Sequence, residues 1–352
     1  MRPFGFVVPG RLDQITGGYL YDRRVVEGLR AQGRAVAVHE LPGRFPEADE
    51  MALEAAAALL AGLPDGAGLC IDGLALPGFS AMLAEHADRL ALTVLVHHPL
   101  ALETGLTAAQ RAAYAALEAR LLPLCRGVIC PSPASAAAVG DYGVAPERIA
   151  VVPPGLDRAE RLAQPRETGP VRLLSVATVT PRKGHVLLVE ALAPLAALPW
   201  HLTIIGSLER DAVTVERLRA AIAEGSLGDR VTLAGEAAPG SLGAAYAEAD
   251  LFVLASYHEG YGMVFAEAMA RGLPILATTG GAIPQTVPPS AGLLVPPGDR
   301  AALTGALKRL LGDVSLRRQL GRGALAAAAK LPDWDRTSRT FGAALDRLCT
   351  KP

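Results

Sequence analysis

The chain has 352 residues, more than a single hydrophobic core usually serves, so two domains are expected. Hydrophobic residues make up 51% of it and charged residues 20%, a composition that favours a large buried core and excludes a disordered chain. The formal net charge of -1 argues against nucleic acid as a partner.

Cysteine spacing and hydropathy indicate a cellular setting. The four cysteines show no CxxC spacing and no signal-peptide pattern precedes Phe4, which favours a reduced, cytoplasmic protein. The most apolar stretch, 186–205, is interrupted by Glu190, Pro194 and Pro199. A membrane-spanning helix, which needs about 18 apolar residues, is therefore not expected.

Apolar runs alternate with helical patterns along the first part of the chain. The predicted strands are 4–8, 35–39, 68–71, 92–96, 127–130 and 149–152. The predicted helices are one that follows Gly18 and ends near Gly33, and then 48–62, 80–88, 107–122 and 133–142.

A charged, proline-bearing segment, 158–170, is predicted to be a linker, after which the alternation restarts. The strands predicted there are 171–176, 201–205, 230–233, 251–255 and 274–277. The helices predicted there are 184–198, 211–224, 239–248, 264–271, 300–311, 315–329 and a last one near 334–348. Together these patterns predict two doubly wound, parallel α/β domains that face a central cleft.

Open parallel sheets bind ligands at the carboxyl ends of their strands, so the loops that follow strands are the candidate sites. The loop 9–18 ends in Gly17 and Gly18 before a helix, where bare amides favour an anion. The pair His97 and His98 follows a buried strand and could act on a sugar hydroxyl or a leaving group. A metal role for this pair would need further ligands, and only Glu103 is near in sequence.

The loop 178–184 places Arg182 and Lys183 between a proline and a glycine at a helix start. Two cations there suit a phosphate, because the helix dipole already favours negative charge. Lys183 is one of only four lysines, which makes its position in such a loop more informative. The segment is not a P-loop, because GxxxxGK[ST] is absent.

Glu259 and Glu267 flank a strand-to-helix turn that contains two glycines. Eight helical steps would leave an offset of about 80°, so the two carboxylates should reach different parts of one ligand. A further pair, Gly280 and Gly281, follows the next strand and permits close backbone approach. By contrast, Asp333-Trp334-Asp335 has the DxD spacing of some metal sites but is expected to cap the final helix.

These residues resemble the retaining glycosyltransferases of family 4, which have the two-domain GT-B fold. The resemblance rests on 259–270, 272–274 and 280–281, with support from Gly17-Gly18, His97-His98, 152–157, 182–184 and 292–296. It implies an acceptor-side Rossmann-like domain at 1–160, a nucleotide-sugar donor domain at 161–333, and a C-terminal helix at 334–352 that crosses back to the first domain.

The resemblance also implies a reaction, namely transfer of a sugar from a nucleoside diphosphate sugar such as a UDP- or GDP-sugar, with retention and without a bound metal or other cofactor. Arg182 and Lys183 would then hold the diphosphate, Glu267 the ribose, and Glu259 the donor sugar. One histidine of the 97–98 pair would face the sugar, and the sequence leaves open which one. The expected donor-binding set also contains Gly17, Gly18, Gly260, Tyr261, Gly262, Met263, Val264 and Gly281.

Pro284-Gln285 stands where family members often have Pro-Glu, which removes a carboxylate that could set donor specificity. Two other functions stay open at this point: a nucleotide-sugar epimerase of the same architecture, and a non-catalytic nucleotide-sugar-binding subunit. The acceptor, a glycan, a lipid or a small molecule, is not indicated. Because many relatives act on lipids, a basic helix at 107–126 with Arg111, Arg120 and Arg126 leaves peripheral contact with the inner face of the membrane open.

Overall fold

The computed structural model describes residues 4–159, 162–163, 166, 168–237 and 240–349. The chain divides into two compact units, Met1–Gly155 with Pro332–Pro352, and Leu156–Leu331. Each unit contains one six-stranded sheet in which every pairing is parallel. The predicted linker, 158–170, lies partly outside the described residues.

The sheet of the first unit has the order β2-β1-β3-β4-β5-β6. Its strands are β1 (Phe4–Pro9), β2 (Val36–Leu41), β3 (Gly68–Asp72), β4 (Ala91–Leu95), β5 (Gly127–Cys130) and β6 (Ile149–Val151). Its first five helices are α1 (Gly17–Ala31), α2 (Glu50–Gly62), α3 (Leu83–His86), α4 (Ala108–Leu121) and α5 (Pro133–Gly140). The chain reverses its direction of winding between β1 and β3, the position where doubly wound sheets open a crevice.

The sheet of the second unit has the order β12-β11-β10-β7-β8-β9, with the reversal between β7 and β10. Its strands are β7 (Val171–Val176), β8 (Trp200–Ile205), β9 (Val231–Gly235), β10 (Leu251–Leu254), β11 (Ile275–Thr278) and β12 (Gly292–Val295). Its helices are α6 (His185–Leu192), α7 (Ala212–Glu224), α8 (Leu242–Glu248), α9 (Met263–Ala270), α10 (Ile283–Thr286), α11 (Arg300–Gly312) and α12 (Val314–Ala328). Two apolar clusters, one built around Leu188 and Leu202 and the other around Phe252 and Phe265, form its core.

The last helix, α13 (Trp334–Cys349), belongs to the first unit and packs on α1. The two helices pack so closely that a Cβ on Gly28 of α1 would lie 1.9 Å from the Ser338 hydroxyl oxygen of α13. Asp333 caps this helix as predicted, since its carboxylate accepts a hydrogen bond of 2.7 Å from the Arg336 amide.

Two predicted helices are shorter than the sequence pattern indicates. The predicted helix 184–198 ends as α6 at Leu192 and continues as a 3₁₀ turn, because Pro194 has no N–H and restricts the residue before it. The predicted helix 80–88 is reduced to α3, with a 3₁₀ turn at Leu76–Phe79 before it. The predicted start of a third helix, Pro239, lies outside the described residues.

The basic segment considered for a membrane surface is helical only as α4 (Ala108–Leu121), so Arg126 lies outside the helix. Arg111, Arg120 and Arg126 donate hydrogen bonds to the backbone oxygens of Ala101, Ser80 and Cys349, respectively. Within the described ranges, no helix is long and apolar enough to cross a membrane.

Candidate active site

The loops after β7 and β10 carry the charged residues of the second unit. β7 and β10 are neighbours in the sheet, so their carboxyl ends lie side by side at the point of reversal. Arg182 and Lys183 form part of a single 3₁₀ turn after β7, and Glu259 follows β10. Residues that are 76 positions apart in sequence thus meet at one end of the sheet.

Gly184 fixes the turn that carries the two cations. Its φ of +67° lies in the left-handed region, and a Cβ there would stand 2.1 Å from the Ala255 carbonyl oxygen. The Tyr257 amide also donates a hydrogen bond of 2.8 Å to the Arg182 carbonyl. Both contacts tie the cationic turn to the end of β10.

Glu259 is buried, with 6% of its surface exposed, and has three side-chain donors. Lys183 Nζ lies 2.6 Å from Oε1, Arg182 Nη1 lies 3.2 Å from Oε2, and the Ser256 hydroxyl donates to Oε1 at 2.6 Å. Burial raises the pKa of Glu259, but the charges of Lys183 and Arg182 outweigh burial and lower it to about 2. Glu259 is therefore ionised at neutral pH.

This arrangement refines the roles predicted for these residues. The family resemblance implies that the two cations contact a diphosphate and Glu259 a sugar, as separate contacts. In the structure, the same carboxylate pairs with both cations, so three groups form one cluster with a formal excess of one positive charge. A cluster of this kind can attract an anion while the carboxylate holds the cations in position.

The segment around Glu259 also approaches the glycine pair that follows β11. Glu259 and Gly281 form an isolated parallel bridge, and the Ala282 amide donates to the Glu259 carbonyl at 2.8 Å. A Cβ on Gly281 would lie 2.3 Å from that carbonyl oxygen, so no side chain fits there. Gly281 thus supports the Glu259 loop through its backbone.

Gly260, Tyr261 and Gly262 connect Glu259 to α9. Gly262 starts the helix with a φ of +85°, and the Tyr261 carbonyl accepts a hydrogen bond of 2.6 Å from the Thr286 hydroxyl. Met263 and Val264 are the first residues of α9, so their N–H groups have no acceptor within the helix. Such amides can bind an oxygen of an anionic ligand.

Glu267 lies on α9 and Glu259 before it, and the two carboxylates have different partners. The Tyr246 hydroxyl donates a hydrogen bond of 2.8 Å to Oε2, and the Arg271 guanidinium lies 4.8 Å from the centre of the Tyr246 ring. Burial raises the pKa of Glu267, although the hydrogen bond from Tyr246 and the charge of Arg271 oppose this effect. Glu267 is thus held by an aromatic hydroxyl rather than by a cation.

In the first unit, the structure distinguishes the two histidines. His97 lies against the start of α1, where a Cβ on Gly18 would be 3.3 Å from its Cδ2, and its Nε2 lies 3.0 Å from Asp22 Oδ1 and 3.6 Å from Asp72 Oδ2. His98 instead pairs with Glu103 at 3.2 Å. Of the two histidines, therefore, His97 is the one beside the Gly17-Gly18 turn.

Asp22, Asp72 and His97 offer donor atoms within 4.8 Å of one another, a spacing that a metal ion could use. The distance of 3.0 Å between His97 Nε2 and Asp22 Oδ1 is that of a hydrogen bond when a proton lies between the two atoms. A nitrogen that binds a metal carries no proton. Nε2 can therefore hold either a proton or a metal ion, but not both at once.

Four residues of these clusters were missed from the sequence. Asp72 and Ser256 come at or just after strand ends, a signal that could have identified them. Asp22 and Tyr246 lie within helices, where only the tertiary structure shows what they contact.

Comparison with known proteins places these clusters in a family. Residues 23–160 match the model described as Glycosyltransferase Family 4, and residues 157–326 match the one described as Glycosyl transferases group 1. The chain is 34% identical over 215 residues to the D-inositol 3-phosphate glycosyltransferase of Acidothermus cellulolyticus, covering 56% of this chain and 47% of that protein. It is 36% identical over 200 residues to the MMP alpha-(1->4)-mannosyltransferase of Mycolicibacterium hassiacum, covering 55% of this chain and 47% of that protein. The chain thus spans about half the length of these curated relatives.

Solved structures show the same fold over nearly the whole chain. Sucrose-phosphate synthase from Thermosynechococcus elongatus superposes with a TM-score of 0.82 at 23% identity, covering 97% of this chain and 98% of that one. Anabaena HepE in complex with UDP-glucose gives a TM-score of 0.76 at 19% identity, covering 98% and 100%. The fold is GT-B, as predicted, and the chain belongs to the family 4, group 1 glycosyltransferases.

Proposed function

We propose that this protein transfers a sugar from a nucleoside diphosphate sugar to an acceptor hydroxyl with retention of anomeric configuration, and that no bound metal takes part. The observation that carries the proposal is the cluster of Arg182, Lys183 and Glu259 at the point of sheet reversal. Similarity to a structure described with bound UDP-glucose supports a donor of this class.

The cationic cluster explains how the reaction proceeds without a metal. Cleavage of the sugar–phosphate bond develops negative charge on the leaving diphosphate, and Arg182 and Lys183 supply fixed positive charge to it. The Met263 and Val264 amides add dipoles of the same sign. Because Glu259 holds the cations before the donor binds, little reorganisation is needed in the transition state.

The two carboxylates take different tasks in this proposal. Glu259 remains ionised beside its cations and can accept hydrogen bonds from sugar hydroxyls. Glu267, positioned by Tyr246, accepts from the ribose hydroxyls. The protein acts in the cytoplasm, and its acceptor is a hydroxyl of a glycan, a lipid or a small molecule.

The first test is a thermal-shift screen with UDP, GDP, ADP and their sugars, because a ligand that binds only the folded state raises the melting temperature. The stabilising donor is then incubated with candidate acceptors, and the product anomer is read by proton NMR. Retained configuration in the presence of EDTA is the expected result. An inverted product, or transfer that stops with EDTA, contradicts the proposal, and conversion of the donor sugar without any acceptor indicates an epimerase.

A further inference from the structure

Asp22 is a buried charged residue for which the family resemblance gives no role. It lies on α1, and its surface is 0% exposed. One carboxylate oxygen contacts His97, and the other, Oδ2, has no hydrogen-bond partner among the residues that the structure describes. Burial of a carboxylate is costly unless another group compensates it, so the contact with His97 needs a physical explanation.

Both carboxylates approach the same nitrogen of His97. Nε2 lies 3.0 Å from Asp22 Oδ1 and 3.6 Å from Asp72 Oδ2. When these carboxylates are ionised they can only accept hydrogen bonds, so the contact with Asp22 then requires the proton on Nε2. Nδ1 is then the nitrogen left for a ligand, and it accepts a hydrogen bond in neutral imidazole but donates one in imidazolium.

Among the residues that the structure describes, the ring and backbone contacts of His97 from α1 and α5 are with uncharged groups. From α1, the Tyr21 ring meets the imidazole edge-on with 5.5 Å between the ring centres, and its hydroxyl donates a hydrogen bond to the Val152 carbonyl. From α5, the Ser135 hydroxyl donates to the His97 backbone oxygen at 3.3 Å. The neighbouring His98 is paired with Glu103.

We propose that Asp22, together with Asp72, holds His97 as the imidazolium, so that Nδ1 is a charged hydrogen-bond donor, and that Asp22 is a positioning residue. The catalytic part of this role rests on the proposed function. A charged hydrogen-bond donor binds a sugar or phosphate oxygen about twice as strongly as a neutral donor does, so a charged His97 would hold the donor substrate more firmly. The approach of the Asp22 and Asp72 carboxylates to His97 Nε2 does not depend on the proposed function.

The electrostatics agree with the geometry. Burial lowers the pKa of His97, but the charge of Asp22, its hydrogen bond to the imidazole and the nearby carboxylate of Asp72 outweigh burial and raise the pKa to about 10. Burial raises the pKa of Asp72, but the hydrogen bond and charge of His97 outweigh it and lower the pKa. Burial and the charge of Asp72 raise the pKa of Asp22 to about 8, against the charge of His97, which lowers it. At neutral pH the cluster therefore holds a further proton, mainly on Asp22, and Asp72 is the carboxylate that stays ionised.

The test follows the protonation of His97 by NMR in protein labelled at the histidine ring carbons and nitrogens. His97 is assigned by the signal that is lost in His97→Gln. We expect the wild-type imidazole to remain charged through pH 8, and Asp22→Asn to lower its titration midpoint by at least one pH unit. The control is Asp65→Asn, an exposed carboxylate of the same unit, which should leave the midpoint unchanged.

Kinetics supply the second measurement. Asp22→Asn should lower kcat more than it raises KM, and its activity should fall as pH rises through the new His97 midpoint. A wild-type His97 that titrates near pH 6.5, or a midpoint that Asp22→Asn does not move, overturns the proposal. So does a stoichiometric metal in the purified protein that Asp22→Asn removes.

The two proposals fail separately. The wild-type titration needs no sugar donor, and the only variant it needs is His97→Gln, for the assignment of the signal. It therefore decides the His97 proposal even if Asp22→Asn does not fold. In that case Asp72→Asn repeats the comparison of midpoints. If His97 titrates as expected but no nucleotide sugar is turned over, the proposed function fails and the charged imidazole stands.

Discussion

Replacement of Lys183 by alanine tests the cationic cluster most directly. Lys183 Nζ lies 2.6 Å from Glu259, and its removal takes one of two positive charges from the cluster. The formal charge of the cluster then falls from one positive to zero, so the excess that would attract a diphosphate is gone. Loss of one preorganised donor of this kind costs about 2.7–4 kcal/mol in the transition state, or roughly 10²–10³ in kcat/KM.

The assay compares kcat/KM for the donor found in the thermal-shift screen. The matched control is Lys308→Ala, which removes the same charge from an exposed position on α11 of the same unit. We expect a loss of roughly 10²–10³ for Lys183→Ala, with the circular dichroism spectrum unchanged, and a change of less than about twofold for Lys308→Ala. Equal activity of the two variants would refute the reasoning.

Further predictions concern the two carboxylates and the turn that carries Lys183. Glu259→Gln should lower kcat but preserve or tighten the binding of UDP or GDP, because Arg182 and Lys183 lose the negative charge that competes with the diphosphate. Calorimetry measures the binding, and weaker binding would contradict this expectation. The pKa of Glu259 is about 2 in the folded protein and 4.5 when unfolded, so its ionisation stabilises the fold by about 3 kcal/mol above pH 4.5. This contribution should disappear as the pH falls towards 2. Urea titrations of the wild type should show the loss, and those of Glu259→Gln should not. Tyr246→Phe removes the hydrogen bond to Glu267 and should cost about 1 kcal/mol of unfolding free energy and weaken nucleotide binding; unchanged binding would argue against a positioning role. Gly184→Ala should destabilise by about 1–3 kcal/mol, whereas Gly305→Ala, in a helix with open space around it, should not destabilise at all.

Much of the fold could be read from local patterns. Apolar runs and helical periodicity located every described strand except β12, and most of the helices, because burial of one face imposes a repeat on neighbouring residues. The exceptions are local too: Pro194 ends α6 earlier than the apolar pattern indicates. The loops that bear Arg182, Lys183 and Glu259 were also predictable, since parallel sheets bind ligands where strands end.

The order of strands in each sheet decided what those loops contact. Nothing local in the sequence states that β7 lies beside β10, yet that adjacency brings Lys183 to Glu259. The same holds for Asp22 and His97, which are 75 residues apart and meet because α1 packs beside the end of β4. Sequence alone therefore determined the element types and the candidate charged residues. Tertiary structure decided the pairing of those charges, because ionisation in a buried cluster depends on neighbours that are distant along the chain.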